Sequence, residues 1–255
     1  MQSTVAVCQL ELEELAVETN LATVRERVEC LDDDVDLAVF PEHTLTGFVA
    51  DGRIEAVALA RDSEPIEELR SLADRRDVAL VVGFVEATAD ELYNATAYVD
   101  PAGDVTVYRK RHLWEGETSI LTPGSELVTV ETPIGNAGLL TCYDLNFVAE
   151  SAALTRADVT ALLVAGAWPA AYTENWQLLL RARALDGVRW AIGANRTGER
   201  DIPGSRRLTY GGRSLVARPD GGVHCGLDRQ ERTLVTEIDS SVLETQRDLI
   251  GVFST

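Results

Sequence analysis

The 255-residue sequence predicts an α/β protein with two mixed β-sheets packed against each other. Strand-like and helix-like segments alternate along the whole chain, with no Pro/Ser-rich linker, charge block or long repeat between them. Many strand-like segments are apolar throughout, which is typical of sheets covered on both faces. The sequence has more than ten strand-like segments in all, which favours two sheets over one. We therefore expect a single domain over residues 1–255.

The predicted strands are short apolar runs that are rich in β-branched residues and bounded by turn residues. Two turns, at residues 101–104 and 219–222, contain the Pro, Asp and Gly residues that close antiparallel hairpins, so the sheets should be mixed. In chain order the predicted strands cover residues 4–10, 35–41, 78–86, 92–99, 104–109, 126–131, 137–142, 159–165, 191–195, 212–218 and 232–238.

Helices are predicted where apolar residues recur with helical spacing. The first helix has Thr19 and Asn20 as candidate N-caps, and the second has Ser63 followed by Glu64 and Pro65. The four predicted helices cover residues 20–33, 63–76, 147–157 and 173–190.

The charge of the chain excludes several classes of partner. A formal net charge of −19 argues against binding to nucleic acid or to an anionic membrane, because both require clustered cations. An acidic surface with almost no lysine is typical of proteins that stay soluble in strong salt, which indicates a halophilic host. The sequence has no basic leader segment and no run of 18 apolar residues, so we expect a cytoplasmic protein.

The single lysine, Lys110, is the most informative residue, because the other 22 of the 23 cationic side chains are arginines. A lysine ammonium is a compact point charge that suits one developing oxyanion better than a guanidinium does. Lys110 follows an apolar strand directly, as do Glu42 and Cys142. Side chains at strand ends can meet over one edge of a sheet, so we expect these three to converge.

These residue types together can perform nucleophilic catalysis. Glu42 could take the thiol proton of Cys142, while Lys110 and the backbone N–H of Tyr143 stabilise an oxyanion. A cysteine close to the start of the helix at 147–157 should also gain thiolate character from the helix dipole. Taken singly, each residue has an ordinary alternative: a surface carboxylate, an inert buried thiol, and one cation of an exposed basic cluster.

Other kinds of site find little support in the sequence. The four cysteines form no CxxC pair, and the three histidines are too scattered for a metal site, so we expect no metal. Cys8 and Cys30 are expected to fill the core. The chain also lacks Walker A, GxGxxG, GxSxG and HExxH motifs.

Three segments of the sequence, FPEHTLTGF (40–48), YRKRHLW (108–114) and TCYDLNF (141–147), resemble the signature blocks of the nitrilase, or carbon–nitrogen hydrolase, superfamily. The order and spacing of the three blocks agree with the family. Later segments also resemble the family, namely AGAWP (165–169), Trp176, RARALD (181–186), GANRTG (193–198) and the GGRS to PDGG stretch (211–222).

The resemblance implies a four-layer α-β-β-α sandwich whose subunits pair through helices, so a homodimer or higher homo-oligomer is expected. It implies hydrolysis of a non-peptide C–N bond without a metal or organic cofactor. By matching positions, Glu42 is the general base, Lys110 the oxyanion stabiliser and Cys142 the nucleophile. A second family glutamate precedes a Pro-Gly turn; Glu117 is the best match, and Glu115 remains an alternative.

The resemblance also bears on the substrate, for which a small amide is expected. Family members acting on ω-amides of dicarboxylic acids carry an arginine where this chain has Asn146, which weakens the case for a carboxylate-bearing substrate. Trp168 could form a wall of the pocket or simply pack in the core. Open alternatives are an N-carbamoyl hydrolase, a nitrilase, a glutaminase-type subunit that supplies ammonia in trans, and a non-catalytic binding protein.

Overall fold

Two six-stranded β-sheets form the centre of the fold in the computed structural model, which describes residues 2–251. In chain order the strands are β1 (Gln2–Gln9), β2 (Val35–Val39), β3 (Ala79–Ala87), β4 (Leu92–Val99), β5 (Val105–Arg109), β6 (Thr129–Thr132), β7 (Gly135–Thr141), β8 (Ala161–Gly166), β9 (Trp190–Asn195), β10 (Glu199–Arg200), β11 (Leu208–Thr209), β12 (Leu215–Ala217), β13 (Val223–Gly226) and β14 (Arg232–Asp239). The helices are α1 (Val17–Glu29), α2 (Glu64–Arg76), α3 (Val148–Arg156), α4 (Thr173–Gly187) and α5 (Ser240–Ile250).

The strand order brings several strand ends to the same edges. The first sheet has the order β14-β1-β2-β3-β4-β5, and the second has the order β13-β12-β9-β8-β7-β6. In the first sheet β2 pairs in parallel with β3, and two antiparallel pairings make β5 run in the same direction. In the second sheet β7, β8 and β9 are parallel. Both sheets are therefore mixed, as predicted, and the carboxyl ends of β2 and β5 lie at one edge.

The apolar side chains fall into layers that follow the alternation of each strand. On β1, Val5 and Val7 pack between the sheets against residues such as Leu163, whereas Ala6 and Cys8 face the helices of the first layer. Helices α1 and α2 cover the outer face of the first sheet, and α3 and α4 cover the second. This is the expected four-layer α-β-β-α sandwich.

The start of α1 differs from the prediction. The helix begins at Val17 with Ala16 as its N-cap residue, so Asn20 lies inside it. The Asn20 side chain is buried, accepts from the Glu13 N–H at 2.9 Å and donates to the Leu45 carbonyl at 3.1 Å. Asn20 thus holds two loops together instead of capping a helix. For α2, Ser63 does occupy the N-cap position, although its hydroxyl makes no capping hydrogen bond.

The end of α1 corrects a second expectation. Cys30 is the C-cap residue of this helix and is exposed, so it does not fill the core as Cys8 does. Because α1 ends three or four residues before the predicted boundary, the apolar pattern was extended one turn too far.

The sequence patterns also missed α5 and the short strands β10, β11 and β13. Helix α5 carries apolar residues at helical spacing, Val242, Leu243, Leu249 and Ile250, but only Leu243 is buried. Its ends do carry signals: the Asp239 carboxylate accepts from the Ser241 N–H, and Gly251 closes the helix with a φ of 69°. No helix within residues 2–251 is long and apolar enough to cross a membrane.

Candidate active site

The three predicted strand-end residues meet in one buried cluster. Lys110 Nζ lies 2.8 Å from Glu42 Oε1, and Cys142 lines the same small cavity as these two residues. Their exposed fractions are 1% for Lys110, 2% for Glu42 and 7% for Cys142. The alternatives of a surface carboxylate and an exposed basic cluster are therefore wrong for Glu42 and Lys110.

Local backbone geometry presents the cysteine. Strand β7 ends at Thr141, and Cys142 adopts a φ of 49°, a left-handed conformation that non-glycine residues rarely adopt. The chain then makes a 3-10 turn over Cys142–Asn146 before α3 begins. Such a turn costs roughly 1 kcal/mol or more of strain, which is common where a side chain must be held at a functional site.

A glycine on β3 lets the chain segment with Glu42 approach the sheet closely. A Cβ atom on Gly83 would lie 2.6 Å from both the His43 nitrogen and the Pro41 oxygen. The absence of a side chain here therefore allows the loop after β2 to cross directly over β3, which directs Glu42 towards Lys110.

The second carboxylate beside Lys110 is Glu117. Lys110 Nζ donates to Glu117 Oε2 at 2.8 Å, and the Trp114 N–H donates to the same oxygen at 2.7 Å. Glu117 is 4% exposed. The competing residue Glu115 lies at the surface, where its carboxylate pairs with Arg206 at 3.2 Å. Of the two glutamates, only Glu117 contacts the lysine.

Two residues of the cluster were not found from the sequence. The Asn94 side-chain amide donates to Glu42 Oε1 at 2.7 Å and to Glu117 Oε1 at 2.5 Å, so it bridges the two carboxylates. His43 Nε2 lies 3.5 Å from Glu117 Oε1, and its ring stacks on Phe48. A polar residue within the apolar run of β4 was a signal for Asn94, and the position next to Glu42 was one for His43.

Charge interactions within the cluster shift the pKa values of Lys110 and Glu117. Burial alone would lower the pKa of Lys110, but the charges of Glu117 and Glu42 outweigh it and hold that pKa well above its usual value. Burial would raise the pKa of Glu117, yet Lys110 and His43 lower it to about 2. The lysine is therefore charged and Glu117 is ionised at neutral pH.

The thiol behaves differently from the expectation based on the helix dipole. Burial raises the pKa of Cys142 well above its usual value, the charge of Glu42 raises it further, and Lys110 only partly offsets both. Cys142 is thus a neutral thiol at rest, because desolvation outweighs any dipole effect from the following helix. It needs a base to become a nucleophile.

Asp144 holds the turn that carries Cys142. Its carboxylate accepts from the Tyr108 hydroxyl at 2.7 Å, from the Thr141 N–H at 3.0 Å and from the His112 N–H at 3.0 Å. Burial raises the pKa of Asp144 to about 6, although these hydrogen bonds oppose the shift. The hydrogen bonds tie the turn to β5 and to the segment after it, so the thiol and the lysine are kept in register.

Two small cavities open onto Cys142 and share Trp114 as a common wall. One, here called the polar cavity, has a volume of about 80 Å³ and is lined by Glu42, His43, Phe48, Ala50, Lys110, Trp114, Glu115, Gly116, Glu117, Cys142, Ala167, Arg200, Leu208 and Tyr210. The other, here called the side cavity, has a volume of about 160 Å³ and is lined by Trp114, Cys142, Tyr143, Asn146, Trp168, Pro169, Tyr172 and Asn175. A larger groove of about 710 Å³ near α1 and α2 contains none of the buried ionisable cluster.

The predicted substrate-binding residues Tyr143, Asn146 and Trp168 all line the side cavity. The backbone N–H of Trp168 donates to Asn195 Oδ1 at 2.7 Å, which fixes Trp168 just after the end of β8. Trp168 is only 6% exposed and also contacts Trp176, so it packs in the core and forms a cavity wall at once. Contact of Trp168 with the substrate stays a prediction.

The cluster has donor atoms of the kind that bind metals. Glu42, His43 and Glu117 offer ligand atoms within 4.8 Å of one another. Lys110, however, donates to both carboxylates at 2.8 Å and supplies the positive charge at their centre. A divalent ion there would meet the ammonium at close range, so these residues fit a lysine-centred cluster better than a metal site.

A sequence model of the carbon-nitrogen hydrolase family matches residues 4–248. The chain belongs to this family. An (R)-stereoselective amidase of Pseudomonas sp is 32% identical to it over 228 residues, which cover 89% of this chain and 82% of the relative. A deaminated glutathione amidase of Dictyostelium discoideum is 30% identical over 262 residues, which cover 93% and 88% of the two chains.

Solved structures agree with this family assignment. Nit3 of Saccharomyces cerevisiae, a member of the nitrilase superfamily, superimposes with a TM-score of 0.89 and 25% sequence identity, covering 99% of this chain and 95% of that one. The family resemblance found in the sequence and the predicted sandwich are both confirmed. This carbon–nitrogen hydrolase is an amidase-like enzyme.

Proposed function

We propose that this carbon–nitrogen hydrolase cleaves small carboxylic amides through a thioester on Cys142, with Glu42 as general base and Lys110 as oxyanion stabiliser. One observation carries the proposal: the only lysine of the chain donates a hydrogen bond to the Glu42 carboxylate, and the buried Cys142 lines the same small cavity as both. Nucleophile, base and cation within hydrogen-bonding reach are what covalent acyl transfer requires.

The first step forms the new C–S bond. Glu42 takes the proton of the Cys142 thiol while the sulfur attacks the amide carbonyl carbon. The carbonyl oxygen becomes an oxyanion, which accepts hydrogen bonds from the Lys110 ammonium and the backbone N–H of Tyr143. The raised pKa of the thiol supports a concerted role for the base, because little free thiolate exists beforehand.

The second step releases the amine, and the third restores the enzyme. Protonated Glu42 gives its proton to the leaving nitrogen as the C–N bond breaks, so ammonia or an amine departs and a thioester remains. Glu42 then takes a proton from water, whose oxygen attacks the thioester carbonyl. Expulsion of the sulfur, which takes that proton back from Glu42, yields the carboxylic acid and the Cys142 thiol, so atoms and protons balance without a redox partner.

Glu117 serves this chemistry by holding Lys110 in place. Its ionised carboxylate accepts from Lys110 and from the Trp114 N–H, so the ammonium cannot rotate away from the cluster. Because the pKa of Glu117 lies at about 2, it stays charged and leaves Glu42 as the group that exchanges protons. We therefore assign Glu117 a supporting role rather than that of a second base.

Amide hydrolysis is favoured over the alternatives because two relatives with 30% identity or more are named as amidases. N-carbamoyl compounds, nitriles and glutamine belong in the same test panel, since the proposed cluster could act on each. We place Tyr143, Asn146 and Trp168 in contact with the substrate because they line the side cavity beside Cys142.

Several expectations from the sequence stay predictions. They are the single domain over residues 1–255, the homodimer or higher oligomer, the cytoplasmic location, the halophilic host and the lack of any cofactor. Gel filtration in high salt measures the oligomer directly.

The proposal is tested by trapping the acyl group. We expect ammonia release from simple amides, and a mass increase equal to the acyl group on the peptide containing Cys142 after rapid acid quenching. Cys142→Ala should lose at least ~10⁴-fold in kcat/KM, on the scale of other nucleophile deletions. Cys30→Ala, at an exposed thiol, is the matched control and should behave like wild type. Ammonia release without an adduct, or an active Cys142→Ala, would overturn the covalent route.

A further inference from the structure

The side cavity has no charged side chain among its eight lining residues, although charged residues make up 25% of the sequence. Its deeper wall consists of buried Trp168 and Pro169 together with half-buried Trp114 and Tyr143. Its outer rim is exposed and consists of three side chains, Asn146, Tyr172 and Asn175. The cavity therefore offers an apolar, aromatic interior under an uncharged polar rim.

No arginine lines the side cavity; Arg200 lines the neighbouring polar cavity, where it donates to the Phe48 and Arg206 carbonyls, and two further arginines are engaged by carboxylates. Arg111 pairs with Glu150 at 2.5 Å, and Arg183 pairs with Asp186 at 2.7 Å while donating to a backbone carbonyl. Neither lines the side cavity. A carboxylate bound there would lose its hydration without gaining a cationic partner, which is strongly unfavourable.

The size of the side cavity sets an upper limit on its occupant. Its volume of about 160 Å³ is close to that of an apolar protein cavity of ~150 Å³ that accommodates benzene. A single ring or a short branched alkyl group would fill it. Two fused rings would exceed this volume and extend past the exposed rim.

The position of Glu42 decides which part of the substrate enters. In the proposed reaction Glu42 protonates the leaving nitrogen, and Glu42 lines the polar cavity but not the side cavity. The nitrogen must therefore face the polar cavity. Since Cys142 borders both cavities, the substituent on the other side of the carbonyl carbon points into the side cavity.

We propose that the side cavity selects amides whose acyl group is uncharged, apolar and no larger than one ring. This inference rests on the proposed function, because it requires the acyl group to be attached to a carbonyl attacked by Cys142. Acetamide underfills the cavity, 4-methylpentanamide and benzamide match it, and the ω-amides of dicarboxylic acids place a charge against its aromatic wall.

A matched pair of substrates tests the charge. Succinamate and 4-methylpentanamide have the same branching, with the carboxylate of one replaced by an isopropyl group in the other. We expect kcat/KM to be at least ~100-fold higher for 4-methylpentanamide, on the scale of an unpaired buried carboxylate. Equal rates, or faster hydrolysis of succinamate, would overturn the inference. In a size series we expect benzamide to exceed both acetamide and 2-naphthamide.

A variant at the rim tests the position of the acyl group. Asn146→Asp is nearly isosteric and exposed, so it should fold, and it places a negative charge at the cavity mouth. We expect it to raise kcat/KM for cationic β-alaninamide at least ~5-fold relative to 4-methylpentanamide, through one partly solvated ion pair. Asn136→Asp, at a half-buried residue of β7 outside the cavity, is the matched control. No change in this ratio would contradict the assigned position.

Failure of this inference differs from failure of the proposed function. If no amide yields ammonia or an adduct on Cys142, the proposed reaction is wrong. If adducts form but the charged substrate of the matched pair reacts at least as fast, only the assignment of the side cavity is wrong.

Discussion

The polar cavity and the side cavity meet at Cys142 but are built in opposite ways. In the polar cavity Glu42, Lys110 and Glu117 are almost fully buried and joined by hydrogen bonds of 2.8 Å. The rim of the side cavity is exposed, and Tyr172, for example, retains 53% of its accessible surface. The polar cavity is lined by a connected hydrogen-bond network, whereas the side cavity is lined by side chains that mainly provide shape.

This difference indicates where the molecule should tolerate substitutions. Removing one member of a buried hydrogen-bonded network leaves its partners unpaired in a low-dielectric site, so the cost is large. Replacing an exposed rim residue changes only the shape and polarity that a substrate meets. We therefore expect changes in the polar cavity to abolish turnover and changes in the side cavity to redirect it.

Among variants that keep the Cys142 thiol, the largest effect is expected for Lys110→Arg. A guanidinium keeps the charge but not the compact geometry, and losing an oxyanion donor costs roughly 3–4 kcal/mol, so kcat should fall at least ~100-fold. Steady-state ammonia release measures it. The reverse exchange Arg206→Lys, at a surface cation that is 72% exposed, is the matched control and should be silent.

Because arginine is larger than lysine, Lys110→Met serves as a second variant of similar volume without the charge. Circular dichroism and thermal unfolding identify any variant that has not folded. A folded Lys110→Arg enzyme with most of the wild-type turnover would show that the polar cavity is as tolerant as the side cavity, and the comparison would fail.

A smaller effect, on stability, is expected for Glu117→Gln and should depend on pH. The pKa of Glu117 is lowered from its ordinary value of 4.5 to about 2, so its ionised form stabilises the fold above pH 4.5, and this contribution is lost as pH falls towards 2. The difference in unfolding free energy between wild type and variant should shrink by about 2 kcal/mol from pH 6 to pH 3. Urea unfolding at both pH values measures it.

Glu115→Gln is the natural control for this experiment, because Glu115 lies two residues away at the surface and does not contact Lys110. Its effect on stability should be small and nearly constant with pH. If the two variants showed the same pH dependence, the coupling between Glu117 and the lysine would be much weaker than the distances indicate.

The smallest effect is expected for Tyr172→Ala at the rim. Turnover of acetamide should change less than ~3-fold, while kcat/KM for benzamide should fall roughly 3- to 10-fold through lost aromatic contact. Leu178→Ala, at an α4 residue that is 63% exposed and outside the cavity, is the matched control. A uniform loss for every substrate would mean that Tyr172 acts on the chemistry rather than on selection.

Much of this site was predictable because the ends of apolar strands can be located from the sequence. Glu42, Lys110 and Cys142 each follow such a strand, and parallel strands deliver their ends to one edge. The assignment of Glu117 was less certain from the sequence, because Glu115 lies in the same loop and only the fold buries Glu117. Asn94 was missed because the pattern of β4 alone does not show that its side chain faces the two carboxylates.

Sequence alone was enough to predict the alternation of strands and helices, the mixed sheets and the candidate reactive residues, because these depend on local periodicity and on residue chemistry. Three features followed only from the tertiary structure: the neutral state of the thiol, the contact of Lys110 with Glu117 and not Glu115, and the two cavities beside Cys142. The physical reason is that pKa values and cavity shape depend on burial and on neighbours distant in sequence, which no local pattern records.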